Sequence, residues 1–308
     1  MRPVLTSNLV FPRYPSVAPS ESEPLLGKVS YGDTIPLRPL GETRVEIWPA
    51  ASSPIRGTSG AFTFAHDGDV LFASASFAEN QSIDQVARRV YDEAIELIRS
   101  QGYPQFLRMW NHVGSINEVE KGRERYQSFC AGRYDAFAAA GLHDTNLPSA
   151  SAVGMPGRGL TLYFLASRTA GVQVENPRQV AAYHYPPQYG PKPPSFSRGT
   201  IFRGAGGVAV YISGTSSVLG HASVHDGDVI GQLDETLRNV DAVLQRAIPG
   251  GGLADLVSVK TYLRRAEDAA AVQPRLTAAL PAGCQQILLQ ADICRSELLL
   301  EIEGVAKR

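Results

Sequence analysis

The order of apolar periods over the last hundred residues leaves few folds open. Val208-Ala209-Val210-Tyr211-Ile212 reads as a buried strand that ends in Ser213-Gly214-Thr215. Asp228 then stands in the N-cap position of a stretch whose Val229, Leu233, Leu237, Val240, Val243 and Leu244 share one helical face. Leu256 to Leu263 reads as a strand, Ala266 to Leu280 as a helix interrupted near Pro274, and Ile287 to Ala291 and Leu298 to Val305 as two further strands. A β-α-β-α-β-β order, with both helices free to cover one sheet face, predicts an α+β domain with a mixed sheet.

The first half repeats a similar order with larger insertions. Arg44 to Trp48 alternates like a strand. Phe62-Thr63-Phe64 and Val70 to Ala73 flank a turn signal in His66-Asp67-Gly68-Asp69. Ser82 precedes a helix that carries Ile83, Val86, Val90, Tyr91, Ala94, Ile95 and Ile98 and stops at Gly102. Phe106 to Val113 reads as a strand, Val119 to Ala140 as a second helix, and Leu160 to Ala166 as a buried strand. The expected division is 1–150, an irregular N-terminal arm of about 40 residues with a divergent first unit, and 151–308, a second unit carrying the site. After the Leu160 to Ala166 run comes Tyr185-Pro186-Pro187-Gln188-Tyr189-Gly190-Pro191-Lys192-Pro193-Pro194. Proline excludes helix and central strand there, leaving either a rigid linker or a stiff aromatic wall for a pocket.

Composition removes several classes of function. Hydrophobic residues make up 44% and charged residues 19%, and the net charge is −1. No basic stripe is present, so nucleic acid and anionic membranes are poor partners. No apolar run approaches the ~20 residues of a membrane span, and the N-terminus lacks a signal-peptide core, so a cytoplasmic protein is expected. Three cysteines, Cys130, Cys284 and Cys294, cannot all pair and have no CxxC spacing. The dinucleotide, P-loop, zincin and nucleophile-elbow motifs are absent. His221 and His225 with Asp226 or Asp228 have the residue types of an iron site, but Asp226-Gly227-Asp228 is equally a turn and helix cap.

Two constellations carry chemistry. In Leu300-Glu301-Ile302-Glu303 the strand period puts both glutamates on one face. If buried, they repel each other and at least one pKa rises, which is how a carboxylic acid stays protonated near neutral pH; a solvated strand face is the plainer alternative. Cys294 precedes Glu301 by a distance that a hairpin can close. Arginines in apolar company form the second group: Arg108 beside Met109-Trp110, Arg133 after Phe129 and Cys130, and Arg198 after Phe196. A guanidinium among aromatics suits planar recognition of a carboxylate, although arginine stems also simply cover apolar surface.

Ile212-Ser213-Gly214-Thr215-Ser216-Ser217-Val218-Leu219-Gly220-His221, Gln232 to Asn239 and the ending Leu300 to Ala306 resemble the RidA/YjgF superfamily. Arg108-Met109-Trp110-Asn111, Arg125 to Arg133, and Asn176-Pro177-Arg178-Gln179-Val180 running on through Tyr185, Tyr189-Gly190-Pro191 and Phe196-Ser197-Arg198 resemble its chorismatase branch. The resemblance implies two RidA/YjgF-like, chorismate-mutase-like β-α-β units and a monomer or homotrimer. It implies chorismate as substrate, pyruvate as a product, and no metal or organic cofactor. Glu301 matches the family's general acid. Arg133, Arg198 and Tyr185 match carboxylate-holding positions, with Arg108 and Tyr163 as further binding candidates, and the Gly214-Thr215-Ser216 loop is expected to line the pocket. Cys294 resembles the aromatising type, which gives 3-hydroxybenzoate and in some relatives 4-hydroxybenzoate; Ser216 departs from the Ala or Gly expected there. The alternatives are a hydrolytic chorismatase that leaves a dihydroxycyclohexadienoate, a RidA-type deaminase, disfavoured because Gly283-Cys284-Gln285-Gln286 lacks the arginine such enzymes use, and a non-catalytic binding protein.

Overall fold

A computed structural model describes residues 37–42, 46–48, 50, 52–204 and 207–307. The expected N-terminal arm lies almost wholly outside these residues. So do Arg44 and Val45 of the first expected strand; Ile47 makes only an isolated bridge.

Alternating apolar residues build two sheets. The chain enters with β1 (Arg38–Pro39), β2 (Ile55–Ser59), β3 (Phe62–His66) and β4 (Val70–Phe77). It continues through α1 (Ile83–Ser100), β5 (Gln105–Gly114), the short β6 (Val119–Glu120) and β7 (Arg123–Glu124), α2 (Arg125–Ala139), β8 (Ser149–Met155) and β9 (Leu160–Ser167). The second half holds β10 (Val172–Val174), β11 (Gly199–Gly204), β12 (Gly207–Thr215), β13 (Val218–Leu219), β14 (Ala222–Ser223) and α3 (Val229–Ala247). It ends with β15 (Leu256–Leu263), α4 (Ala269–Ala279), β16 (Gln285–Gln290) and β17 (Leu300–Lys307).

The first sheet has the order β2-β3-β4-β9-β5-β8. The second, read from its far edge, is β10-β11-β12-β17-β15-β16, with β1 added on the outside. In each, one pair is parallel, β5 with β8 and β15 with β16, and each is joined by a helical crossover. The other pairings between corresponding strands are antiparallel. The two units therefore share one connectivity. The expected boundary at 150 does not hold for the sheets: β8 and β9 complete the first, which runs to Ser167 before the second begins at Val172.

Period-two patterning sets the layers. Leu71, Ala73, Ala75 and Phe77 of β4, with Leu160, Leu162, Phe164 and Ala166 of β9, pack under α1 and α2. Leu300, Ile302 and Ala306 of β17 pack under α3 and α4. The opposite faces meet each other: Val70, Phe72, Trp110, Tyr163 and Leu165 pack against Phe202, Ala209, Tyr211 and Val305. The order is helix, sheet, sheet, helix, and Glu301 and Glu303 share the strand face of Val305, toward the inter-sheet layer.

The helix expected from Val119 starts later, at Arg125. Lys121 (φ 51°) and Gly122 (φ 78°) form a tight left-handed turn that closes β6 onto β7 and stops a helix from forming there. α3 begins where expected, with Asp228 Oδ1 accepting from Ile230 N at 3.1 Å and Gly231 N at 2.9 Å. Replacing this cap, Asp228→Ala, is expected to cost about 1 kcal/mol of stability in a denaturation experiment; an unchanged midpoint would mean that α3 does not depend on its cap.

Candidate active site

A cavity of about 250 Å³ opens where the two sheets part, between β8, the end of β12 and the start of β17. The proline-rich segment forms its outer wall. It is neither strand nor α-helix but two 3-10 turns, Ala182–His184 and Pro187–Tyr189, which present Tyr185 and Tyr189 inward. Of the expected residues, the cavity gathers Glu301, Cys294, Arg133, Tyr185, Arg198, Gly214 and Ser216.

The floor is made by a β-bulge. Ile212 pairs with Gly304 but Thr215 with Ile302, so one extra residue is accommodated around Ser213-Gly214. Ser213 secures the bulge: its hydroxyl donates to Ser197 O (2.5 Å) and accepts from Ala150 N (2.8 Å), which links the two sheets. Gly214 then lies against the Glu301 carboxyl. A Cβ at this position would sit 2.6 Å from the Glu301 carboxyl carbon and 3.0 Å from Ser151 Oγ. Thr215 points elsewhere; its hydroxyl bonds Ser213 O, and it is not part of the cavity wall.

Glu301 and Glu303 have opposite surroundings. Glu303 accepts from Trp110 Nε1 (2.6 Å), Arg108 Nη2 (2.8 Å) and Ser151 Oγ (2.5 Å), and Lys260 Nζ lies 3.2 Å away. Lys260 also pairs with Glu46 (2.8 Å) and donates to Tyr163 OH (2.7 Å). Arg108 and Tyr163 therefore belong to a buried ion cluster behind the cavity, and neither lines it. Glu301 is only 4% exposed, and its Oε1 has no hydrogen-bond partner.

Burial first, and then the Glu303 anion, push the Glu301 carboxyl up to about 8 against the pull of Arg108 and Arg198. Burial also raises Glu303, but Lys260, Arg108 and the hydrogen bonds from Ser151 and Trp110 outweigh it and hold that carboxyl at about 2. At neutral pH one glutamate is an acid and its neighbour an anion.

The cationic wall faces this acid. Arg133, on α2, is 1% exposed; its Nε and Nη2 have no partner, its guanidinium stacks on Phe129 at 5.1 Å, and it forms no salt bridge with any described residue. A buried cation without a counter-ion is costly unless a ligand supplies the anion. Arg198 donates to Tyr185 OH (2.6 Å) and Val180 O (3.3 Å), and its Nε is also without a partner. Cys294 sits in the loop before β17. Burial and the nearby Glu301 raise its thiol to about 12, so it is neutral and not a nucleophile.

Several contributors had no clear signal in the sequence. Ser151 lies on β8, a strand of small residues that carries no apolar alternation. Lys260 is a lone charge within an apolar strand. Arg264 fixes the Cys294 loop by donating to Leu298 O (2.8 Å), Ile293 O (3.1 Å), Arg295 O (2.9 Å) and Asp292 Oδ1 (2.7 Å). Arg295 spans Tyr189, 4.0 Å from its ring, at the cavity wall. The two histidines whose types would suit an iron site have different partners: His221 Nδ1 meets Tyr189 OH at 3.1 Å, and His225 Nε2 lies 3.7 Å from Glu235.

Two expected outcomes test this geometry. Gly214→Ala should displace the Glu301 carboxyl and abolish whatever turnover the site performs while leaving the fold intact; full activity would show that the close approach is unimportant. Glu301→Gln should stabilise the protein increasingly as pH rises. A folded pKa raised above the unfolded value means that stability is full below about 4.5, declines toward about 8 and is level above it. A melting-temperature advantage of the variant that grows over this window, on the order of a few kcal/mol at its top, is the expected result; a pH-independent difference would contradict it.

Comparison with known proteins places the chain in a family. The family model described as chorismatase FkbO/Hyg5-like, N-terminal, matches residues 46–166. A 3-hydroxybenzoate synthase of Streptomyces hygroscopicus is 39% identical over 280 residues, covering 87% of this chain and 82% of that protein. A chorismatase of Streptomyces rapamycinicus is 35% identical over 275 residues, covering 86% and 82%. A chorismatase crystal structure superposes with a TM-score of 0.87 at 31% identity, covering 96% of this chain and 98% of that one. With its two-sheet α+β fold and similarity to these relatives over more than four fifths of its length, the chain belongs to the chorismatase family.

Proposed function

We propose that this protein cleaves the enolpyruvyl ether of chorismate to pyruvate and 3-hydroxybenzoate, and that Glu301 is the general acid. The observation that carries this reading is the pairing, across one cavity, of a protonated buried glutamate with a buried arginine that has no counter-ion. The name of the Streptomyces hygroscopicus relative supports the choice of product.

Chorismate carries two carboxylates on a rigid frame. Arg133 takes one and Arg198, braced by Tyr185, the other; fixing both ends orients the ether without covalent catalysis. Glu301 delivers its proton to the terminal methylene carbon, and an oxocarbenium ion forms at the enol carbon. The ring hydroxyl displaces the ether oxygen, the C–O bond breaks, and pyruvate leaves. The hydroxyl oxygen then bridges two ring carbons as a protonated arene oxide. Its bond to its original carbon breaks, and loss of a ring proton gives the aromatic acid and restores the proton to the site. Pyruvate and 3-hydroxybenzoate together contain every atom of chorismate, so this route consumes no water. The neutral Cys294 thiol beside Glu301 suits it by occupying space that water would otherwise use. Three unpaired cysteines fit the reducing cytoplasm. We read the halves bounded by the two sheets as RidA/YjgF-like units, with the site lying where they part.

The test is metal-free incubation with chorismate and product identification by chromatography and NMR. Pyruvate with 3-hydroxybenzoate is expected; a large share of 4-hydroxybenzoate would change the product assignment, the dihydrodiol acid would make the enzyme hydrolytic, and untouched chorismate would overturn the proposal. Glu301→Gln should lower turnover by at least about a hundredfold with chorismate affinity retained, whereas Arg133→Met should chiefly weaken binding.

A further inference from the structure

Glu303 never reaches the cavity, yet it is tied to more partners than any other buried carboxylate near the site. Arg108 and Trp110 reach it from β5, Ser151 from β8 and Lys260 from β15, so both sheets contribute. Glu46 closes the group on Lys260, and the side chains of all four charged members are at most 7% exposed. Two cations and two anions balance within the cluster. Glu301 lies two residues along the same strand face, and Ser151 joins the compartments: its hydroxyl donates to Glu303, accepts from Arg108 Nη2 at 2.5 Å, and lines the cavity.

We infer that Glu303 is a positioning residue for the acid: its permanent negative charge, locked in place by Arg108 and Lys260, keeps the proton on Glu301 until substrate arrives. The inference rests on the proposed role of Glu301. A negative charge held beside a buried carboxyl disfavours a second ionisation. The other groups around Glu301 do not supply this effect. Arg108 and Arg198 favour its ionisation. Cys294 and Tyr262 are neutral, because burial raises both. Arg133 stands on the same cavity wall as a cation, and Glu46 and Lys260 lie behind Glu303. Without Glu303, burial alone would hold the proton against the pull of Arg108 and Arg198, and the acid would lose it at a lower pH.

The experiment compares wild type with Glu303→Gln and with the double variant Glu303→Gln/Lys260→Met. The second leaves Glu46 and Arg108 as a balanced pair, so it is the variant expected to fold if the first does not. Two readouts are taken: the alkaline limb of the pH–rate profile with chorismate, and the protonation midpoint of the Glu301 carboxyl by infrared difference titration with Glu301→Gln as the blank. Both should move to lower pH by about one unit or more, with activity largely recovered in acid. A merely structural role would scale the rate equally at every pH and leave the infrared midpoint in place, and that result would overturn the inference. Because the infrared titration needs no substrate, it decides the role of Glu303 even if chorismate proves not to be the substrate.

Discussion

Two carboxylates on one strand face, buried together between two sheets, are the constraint around which this molecule is organised. Both cannot be ionised at that depth unless each has its own cation. The structure resolves the conflict asymmetrically: Arg108, Lys260, Trp110 and Ser151 converge on Glu303 and leave Glu301 with an unsatisfied oxygen facing the cavity. Every nearby element contributes to that asymmetry. β5 and β15 supply the cations, β8 the bridging serine, and the β12 bulge the glycine that lets Glu301 lie close. An acid that holds its proton at neutral pH follows from the arrangement.

The shared connectivity of the two units shows how such a site could be reached. Corresponding strands β9 and β17 are both eight residues long, and each pairs with two antiparallel neighbours. At the second and fourth positions β9 has Thr161 and Tyr163, where β17 has Glu301 and Glu303. β9 therefore keeps an uncharged inner face, and its Tyr163 stacks on Trp110 at 4.5 Å and receives a hydrogen bond from Lys260. The other carries the chemistry. The first unit acts as the wall that buries the carboxylates of the second.

Much of this was legible in the sequence because it depends on local periods. The helical faces of α1 and α3, the Asp228 cap and the run from Leu160 follow from spacing alone. The same-face placement of Glu301 and Glu303 follows from the strand period. The late start of α2 was hidden because the Lys121-Gly122 turn interrupts a stretch with no apolar rhythm of its own. β8 is not legible in the sequence because its small residues pack closely against β12, a long-range contact that leaves no alternation. Spacing cannot tell which of two buried faces Arg108 serves, and Tyr163 enters only through the family resemblance; the fold turns both toward the cluster of Glu303 and Lys260. The resemblance to a known family supplied what periods could not, namely the substrate and the pairing of Arg133 with Arg198 across one cavity.

The account stands on one protonation state. A neutron diffraction structure of the protein at neutral pH, exchanged into deuterium oxide, would show it directly. A deuteron on the Glu301 carboxyl and none on Glu303 is the predicted result. A bare Glu301 carboxylate, or a deuteron on Glu303 instead, would contradict the division of labour between the two glutamates and with it the proposed acid.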